Sequence, residues 1–431
     1  MVAAAAAGLA ANEFCPHAPD GSPNATVAWI VQYVAEPVGQ IFLRLIYMIA
    51  LPLVFCALVL GVAGMGDVRK LGRVGLKSLA YTIGLSGISV ALGVLLVQTI
   101  RPGLGLPKEK RATLIDRYTP QADSAIADAK KAKTLRETLL DIIPKNPLQE
   151  MVGSMDGSSP GGGMLAVMFF ALVFGAAMTL VPQKTGPLIA ALEGVYEVVM
   201  VIIQLAMRLA PFGVAGLVFS LTALLGFDIL RTLGWYVVAV LGGLTMHTVV
   251  VYSVFLAVFG RMRPFRFFAR ISEAMLTAFA TSSSSATLPT ALRVSQENLG
   301  LRRDISGFVL TVGSTANQNG TALYEGITVL FLAQVFGVDL SLQQQILVVV
   351  MSVLAGVGTA GIPGGSLPMI VLLLQAIGVP GEGIGVILGV DRLLDMSRTV
   401  VNVTGDLAIA ACVNRSESAA APAATYPSKP E

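Results

Sequence analysis

Apolar segments at about 27–64, 76–100, 162–181, 188–226 and 229–260 each have the roughly 20 residues needed to cross a hydrocarbon core about 30 Å thick. That repetition leaves one fold class, an all-α polytopic membrane protein with the lipid bilayer as its solvent. With 55% hydrophobic and 13% charged residues, the chain has too little polar surface for soluble domains. The same pattern excludes a disordered chain, a secreted disulfide scaffold and a peripheral enzyme with one anchor. A balance of 29 Lys plus Arg against 26 Asp plus Glu, net +3, is too slight and dispersed to point to nucleic acid. Cys15, Cys56 and Cys412 read as unpaired thiols, and His17 and His247 are too far apart and too few to mark a metal site. No cofactor is expected beyond transported ions.

Residues 1–14 are apolar but short for a span, and read as the latter part of a first helix. Residues 103–161 form a polar insert with a Lys/Asp/Ala-rich, helical-looking stretch from Asp116 to Lys133, and the tail from Ser416 is expected to be disordered. Basic residues in short loops set the topology. Arg69, Lys70 and Arg73 place their loop in the cytoplasm, which puts the insert outside, Lys184 inside, Asp228 outside and the cluster Arg261, Arg263, Arg266 and Arg270 inside. The next apolar segment, Glu273 to Leu292, is followed by Arg293, Arg302 and Arg303, so both its flanks belong to the cytoplasm. A re-entrant hairpin satisfies that, with its tip at Thr281 to Pro289 and the run Ser282 to Ser285 in it. The segment from Leu342 to Gly378 has no Lys or Arg on either flank and is rich in Gly and Pro from Gly356 to Gly365. It reads as a second hairpin entering from outside, the alternative to the pair being two kinked spans. Inverted pairs of interrupted helices mark the midplane site of secondary transporters.

The last apolar segment, Ile384 to Cys412, contains Asp391, Arg392, Asp395, Arg398, Asn402 and Asp406. At about 100° per residue, all of these except Arg392 fall within about 80° of arc. Charges within a span are costly and usually functional. A structural ion-pair seam is the alternative, but an excess of carboxylates with an Asn among them suits ligation of a cation by oxygen. The preceding segment is interrupted at Gly313 to Gly320, then continues through Thr321 and, one turn later, Glu325. Unwound Asn, Gln, Thr and Gly offer the oxygens that a sodium-sized cation prefers. Backbone amides at Ser283 and Ser284 suit an anion, and Arg398 is the natural clamp for a substrate carboxylate. An intramembrane protease is the rival of another class. Asp391 and Asp395 on adjacent turns of one helix cannot oppose each other across a substrate, and Ser366 has no evident His partner.

The runs SSSSATLP at 282–289, NQNGTALYEG at 317–326, GTAGIPGG at 358–365 and DMSRTVVNVTGD at 395–406 resemble the four signature blocks of the dicarboxylate/amino acid:cation symporters, the glutamate transporter family. The resemblance covers about residues 29–415. It implies an elevator fold with two inverted re-entrant helical hairpins, assembled as a homotrimer in the cell (inner) membrane, multi-pass. The divisions it implies are 1–26, a partial first helix and polar segment, then 27–260, mainly scaffold and trimerisation helices whose third and sixth move with the transport domain. Residues 261–415 would be the transport core of hairpin 1, helix 7, hairpin 2 and helix 8, and 416–431 a disordered tail. The implied function is not enzymatic: a secondary symporter importing L-aspartate or L-glutamate with Na+ and/or H+. A C4-dicarboxylate:H+ symporter is the alternative, which Asp395 disfavours because a dicarboxylate has no ammonium to pair with it.

By the same resemblance, Arg398 binds the substrate's side-chain carboxylate and Asp395 its amino group, with Thr321, Thr399, Asn402 and the backbone at Ser283 and Ser284 completing the pocket. Gly313, Asn317, Asn402 and Asp406 resemble one sodium site; Thr315 with the backbone at Gly356, Val357 and Thr359 resembles a second. The glycine-rich second hairpin is the implied extracellular gate. The chain also departs from the family pattern. Its usual NMDGT has Gln318 for Met and Asn319 for Asp, and where a third sodium site takes Tyr and Thr this chain has Thr82 and Leu85, leaving only Ser86. An arginine that pairs with the equivalent of Asp395 gives way to Ser282 and Met396, with Arg392 the candidate substitute. Glu325 stands where proton-cotransporting members have a glutamate and is the candidate proton carrier; permanent pairing with Arg392 or Arg398 is its alternative.

Overall fold

The computed structural model describes residues 2–15, 24–64, 68–107, 110, 140–141, 143–156, 164–359 and 363–418. The stretch from Asp116 to Lys133 lies outside them. Among the described residues the ordered elements are all helical. Helix α1, Val2–Phe14, is followed by α2, Ala25–Ile30, which Asn24 starts by accepting the Thr26 N–H at 2.9 Å. A wide turn at Val31–Ala35 joins α2 to α3, Glu36–Gly64. Next come α4, Val68–Ile100, α5, Pro147–Asp156, and α6, Met164–Leu180. The chain then runs through α7, Pro182–Leu225, and α8, Phe227–Met246. Two wide turns, His247–Val251 and Leu256–Gly260, flank α9, Tyr252–Phe255, and carry the α8 direction on to Gly260.

Outward faces show what surrounds these helices. Leu76, Ile83, Ile88 and Leu95 of α4 and Val195, Val198, Val201, Leu205 and Phe212 of α7 are exposed. Rows of large apolar side chains on one face would be an association liability in water and suit acyl chains instead. The inner faces of α3 and α7 meet closely at glycines. A Cβ on Gly213 would stand 2.5 Å from the Phe42 Cβ, and one on Gly216 2.4 Å from the Ala35 carbonyl oxygen. Small residues at such crossings let backbones approach in lipid, where packing must replace the hydrophobic effect. Gly216→Ala is therefore expected to destabilise the protein by about 1–3 kcal/mol through overpacking. Gly234→Ala, which meets nothing within 4 Å on α8, should be neutral or slightly stabilising. Thermal unfolding of the two variants in detergent checks the contrast.

The second half of the chain holds the polar groups. Helices α10, Pro264–Thr281, and α11, Ser284–Glu297, form an antiparallel hairpin closed at its open end by the Glu273–Arg293 ion pair and by Asn298 Nδ2 donating to the Arg270 carbonyl at 2.9 Å. Its tip is two residues long. Ser282 turns the chain with φ 52°, and the Ser283 hydroxyl caps α11 through the Ala286 N–H at 3.1 Å. Helix α12, Arg303–Ala316, stops at Asn317 and Gln318, and α13, Asn319–Phe336, restarts at once, so the break is shorter than the Gly313–Gly320 interruption read from the sequence. Every α13 residue except Gln334 is buried, which fits an element apolar on all faces and packed between α4, α14 and α16. Helix α14, Leu342–Gly358, and α15, Leu367–Ala376, flank the glycine-rich turn, of which residues 360–362 lie outside the described set. A 3-10 segment, Gly381–Val386, leads into α16, Leu388–Ser418.

One expectation is corrected here. Residues 416–418 are the end of α16, not tail: Arg73 and Lys77 of α4 both hold the Glu417 carboxylate, Arg73 at 2.6 Å and Lys77 at 2.8 Å, and Lys77 also donates to Ser416 at 2.9 Å. Hydrogen bonds from Arg73 and Lys77 pull the Glu417 carboxyl down to about 2.

Candidate substrate and cation site

The polar stripe of α16 is wholly inward. Asp391, Asp395, Arg398, Asn402 and Asp406 are all buried, while Arg392, off the stripe, keeps half its side chain exposed. Arg398 sits at the centre. Its Nε and Nη2 donate to Asp395 Oδ1 at 3.1 and 2.7 Å, and its guanidinium lies 4.5 Å from the centre of the Tyr324 ring. The Tyr324 hydroxyl in turn donates to Asp391 at 2.6 Å. Asp395 Oδ2 accepts the Gly364 N–H at 3.1 Å and has Arg392 at 3.8 Å. Arg392 thus does reach the carboxylate for which the sequence offered it as a substitute partner. Arg398 Nη1 remains buried with no protein partner.

Ser284, Thr321, Asp395, Arg398, Thr399 and Asn402 line one small cavity. Ser283, the remaining residue expected there, does not: its hydroxyl caps α11 and its N–H is given to Thr281 Oγ1 at 3.2 Å. Ser282, Gln318, Thr359 and Ser366 also line the cavity. The sequence pointed to Ser282 and Gln318 only as departures and to Ser366 only as an unsupported nucleophile. The hydroxyls of Ser282, Ser284 and Ser366 are buried without a partner. Such groups are rare in proteins and mark places where a ligand or water completes the bonding.

Around the helix break, the Asn402 amide is fully committed. Its oxygen accepts the N–H groups of Gly320 and Thr321 at 2.8 and 3.2 Å, the opening donors of α13, and its Nδ2 donates to Gln318 Oε1 and to Thr321 Oγ1 at 3.0 Å. Asn317 donates to Asp406 Oδ1 at 2.7 Å, and its own Oδ1 is buried and unpartnered. Gly313 lies against the same carboxylate; a Cβ there would come within 2.5 Å of Asp406 Oδ1. Gly313, Asn317 and Asp406 are therefore brought together, and hard oxygen atoms dominate the grouping. For the second expected set, the side chains of Thr315 and Val357 lie outside the described residues. Gly356 abuts the Gln318 carbonyl, and Thr359 donates to the Ala355 carbonyl at 2.8 Å.

A different arrangement fills the place of the expected third set. Ser86 Oγ donates to Asn319 Oδ1 at 2.6 Å, Asn319 Nδ2 donates to the Tyr252 hydroxyl at 3.2 Å, and Tyr252 donates to the Val401 carbonyl at 3.0 Å. Ser89, a residue the sequence did not single out, adds a 2.9 Å bond to the Asn319 carbonyl. Thr82 and Leu85 are buried beside them. A neutral amide closes this corner with protein hydrogen bonds at both ends.

Glu325 is wholly buried. Thr359 Oγ1, whose proton goes to the Ala355 carbonyl at 2.8 Å, lies 3.3 Å from one of its oxygens, the other has no partner, and among the described residues neither Arg392 nor Arg398 forms an ion pair with it.

The geometry can be set beside known proteins. The profile of the Sodium:dicarboxylate symporter family matches residues 1–416. The chain belongs to that family. It is 34% identical over 389 residues to the proton/sodium-glutamate symport protein of Bacillus subtilis, an alignment covering 90% of this chain and 87% of that one. It is 32% identical over 380 residues to the proton/glutamate-aspartate symporter of Escherichia coli, covering 88% and 84%. With the excitatory amino acid transporter 3 of Oryctolagus cuniculus it shares 34% identity over 411 residues, covering 87% and 77%. This family membership, together with helices long and apolar enough to span, makes the chain a multi-pass membrane protein of a transporter family.

Proposed function

We propose that the chain is a secondary active symporter for an acidic amino acid, L-aspartate or L-glutamate, driven by sodium, protons or both. One observation carries the reading: a permanently charged guanidinium buried in a polar-lined cavity, with one edge spent on Asp395 and Nη1 unspent. A buried guanidinium N–H left without an acceptor is costly, and a substrate carboxylate offsets that cost with a charge-assisted bond. Asp395, already at the cavity wall, suits the ammonium group of the same molecule. The relatives named above, described as glutamate and aspartate symporters, support the same substrate class. In this reading the α10–α11 pair and the α14–α15 segment are re-entrant gates of an elevator domain, and the functional unit is a homotrimer. Asp406 with Asn317 and Gly313 holds one coupling sodium, and Thr315 with the α14 end a second. The test is concentrative uptake of labelled aspartate into proteoliposomes under imposed sodium and pH gradients. Equilibration without accumulation under every gradient would sink the symporter reading.

The Asn319 corner bears on stoichiometry. With Ser86 and Tyr252 already bonded to a neutral amide, a cation there would be desolvated without a compensating charge. Asn319→Asp supplies that charge. Its expected effect is a steeper dependence of uptake on sodium, with the Hill coefficient rising toward one additional ion. A sodium titration of wild type and variant that superimpose would show that the corner takes no part in coupling.

A further inference from the structure

The proposal rests on the acidic amino acid reading above and concerns which groups hold the carboxylate that Arg398 does not. The hydrogen bonds already made inside the cavity narrow the choice; the Thr321 hydroxyl accepts from Asn402 and keeps its own proton. Both N–H groups of Asn402 Nδ2 are given to Gln318 and Thr321. Thr399 donates to the Asp395 carbonyl at 2.8 Å, and the Thr359 hydroxyl faces the Ala355 carbonyl and Glu325. The cavity-lining groups left with no partner at all are Arg398 Nη1 and the hydroxyls of Ser282, Ser284 and Ser366.

Ser366 differs from the other two serines in where it comes from. It precedes α15, far along the chain from the α10–α11 tip, and it is 0% exposed. A serine immediately before a helix ordinarily spends its hydroxyl on the helix's own N–H groups. Ser283 does so before α11, with an extended backbone, φ −141° and ψ 117°. Ser366 has helical values, φ −85° and ψ −17°, and makes no side-chain cap. The second residue of its helix is Pro368, which has no N–H to be capped. The hydroxyl is thus released from the local role and lines the cavity instead.

We propose that Ser366 is a substrate-binding residue, whose hydroxyl donates to the second carboxylate of the acidic amino acid, with Ser282 and Ser284 meeting that carboxylate from the α10–α11 tip. The substrate then ties the α10–α11 tip to the start of α15 through one carboxylate. Arg398 reads the other carboxylate. Asn402 acts on the pocket through the backbone of Gly320 and Thr321 and not as a donor to substrate.

Three variants test it: Ser366→Ala and Ser366→Gly delete the hydroxyl, and Ser366→Thr keeps it. A hydrogen bond to a charged group corresponds to roughly 10-fold or more in affinity, so both deletions should raise the KM for aspartate by about that factor. Maximal uptake should stay within about twofold of wild type, because the lost contact is made equally before and during translocation. Aspartate-dependent thermal stabilisation in detergent should need a correspondingly higher aspartate concentration, and Ser366→Thr should recover most of the affinity. Unchanged KM in both deletions overturns the proposal, and so does a Thr variant as impaired as Ala, which would make Ser366 a packing residue. Wild-type protein that neither accumulates nor is stabilised by aspartate would overturn the acidic amino acid reading and this assignment with it. Normal wild-type uptake with insensitive Ser366 variants would overturn the assignment alone.

Discussion

Arg398→Cys is expected to abolish aspartate uptake and to admit serine or alanine. In wild type a neutral amino acid leaves the guanidinium buried with Nη1 unspent, whereas aspartate fills it. Removing one partner of a buried charge pair costs about 3–5 kcal/mol, or on the order of 10²–10⁴-fold in affinity. The variant leaves Asp395 in place, so the ammonium end of any amino acid keeps its partner and the reversal should be one of selectivity, not of transport as such. The Asp391–Tyr324 bond survives as well, holding the ring against which the guanidinium had packed. Competition between labelled serine and aspartate in proteoliposomes measures the ratio; a Cys variant that still prefers aspartate would refute the role. The companion change, Asp395→Ser, should weaken amino-acid binding more than succinate binding. Equal losses would mean that Asp395 serves only to brace Arg398, which its 2.7 Å contact would also permit.

Some parts of this site were legible because helical periodicity and chemical cost act locally. Five polar residues on one arc of α16 could only be buried together, and they are. Asn and Gly within an apolar run had to break a helix, though its length, two residues and not eight, depended on Asn402 reaching from α16 to cap the restart. Other parts depended on partners far off in the chain. Nothing near Glu417 in sequence indicates that Arg73 and Lys77 extend the last helix past Ser416. Nothing near Ser89 places it on the Asn319 carbonyl. Within the serine run, chemistry could not rank neighbours. It took the backbone turn at Ser282 to send Ser283 to a cap and leave Ser282 and Ser284 at the cavity.

Glu325→Gln is expected to remove the response of uptake to an imposed pH gradient that wild type should show. Two readings of this carboxyl were open from the sequence, a proton carrier and a member of a permanent ion pair. The geometry favours the first, because Glu325 has only the Thr359 hydroxyl oxygen at 3.3 Å, one unpartnered oxygen and no ion pair among the described residues. Of the charged groups near it, Arg398 acts on it through space without a bond, being bonded to Asp395, and Asp391 is held by Tyr324. A buried carboxylate so weakly compensated costs several kcal/mol as an ion, and a proton removes that cost. Thr359, whose hydroxyl lies beside that carboxyl, follows the last turn of α14 and also lines the cavity. In Gln the neutral state is permanent. Exchange of internal for external aspartate should persist while net uptake driven by an inward proton gradient is lost, and the sodium dependence should remain. Imposing the sodium and pH gradients separately on wild type and Glu325→Gln distinguishes the cases. Wild-type uptake that ignores the pH gradient, or a Gln variant with an intact pH response, would leave the coupling to the two sodium sites alone.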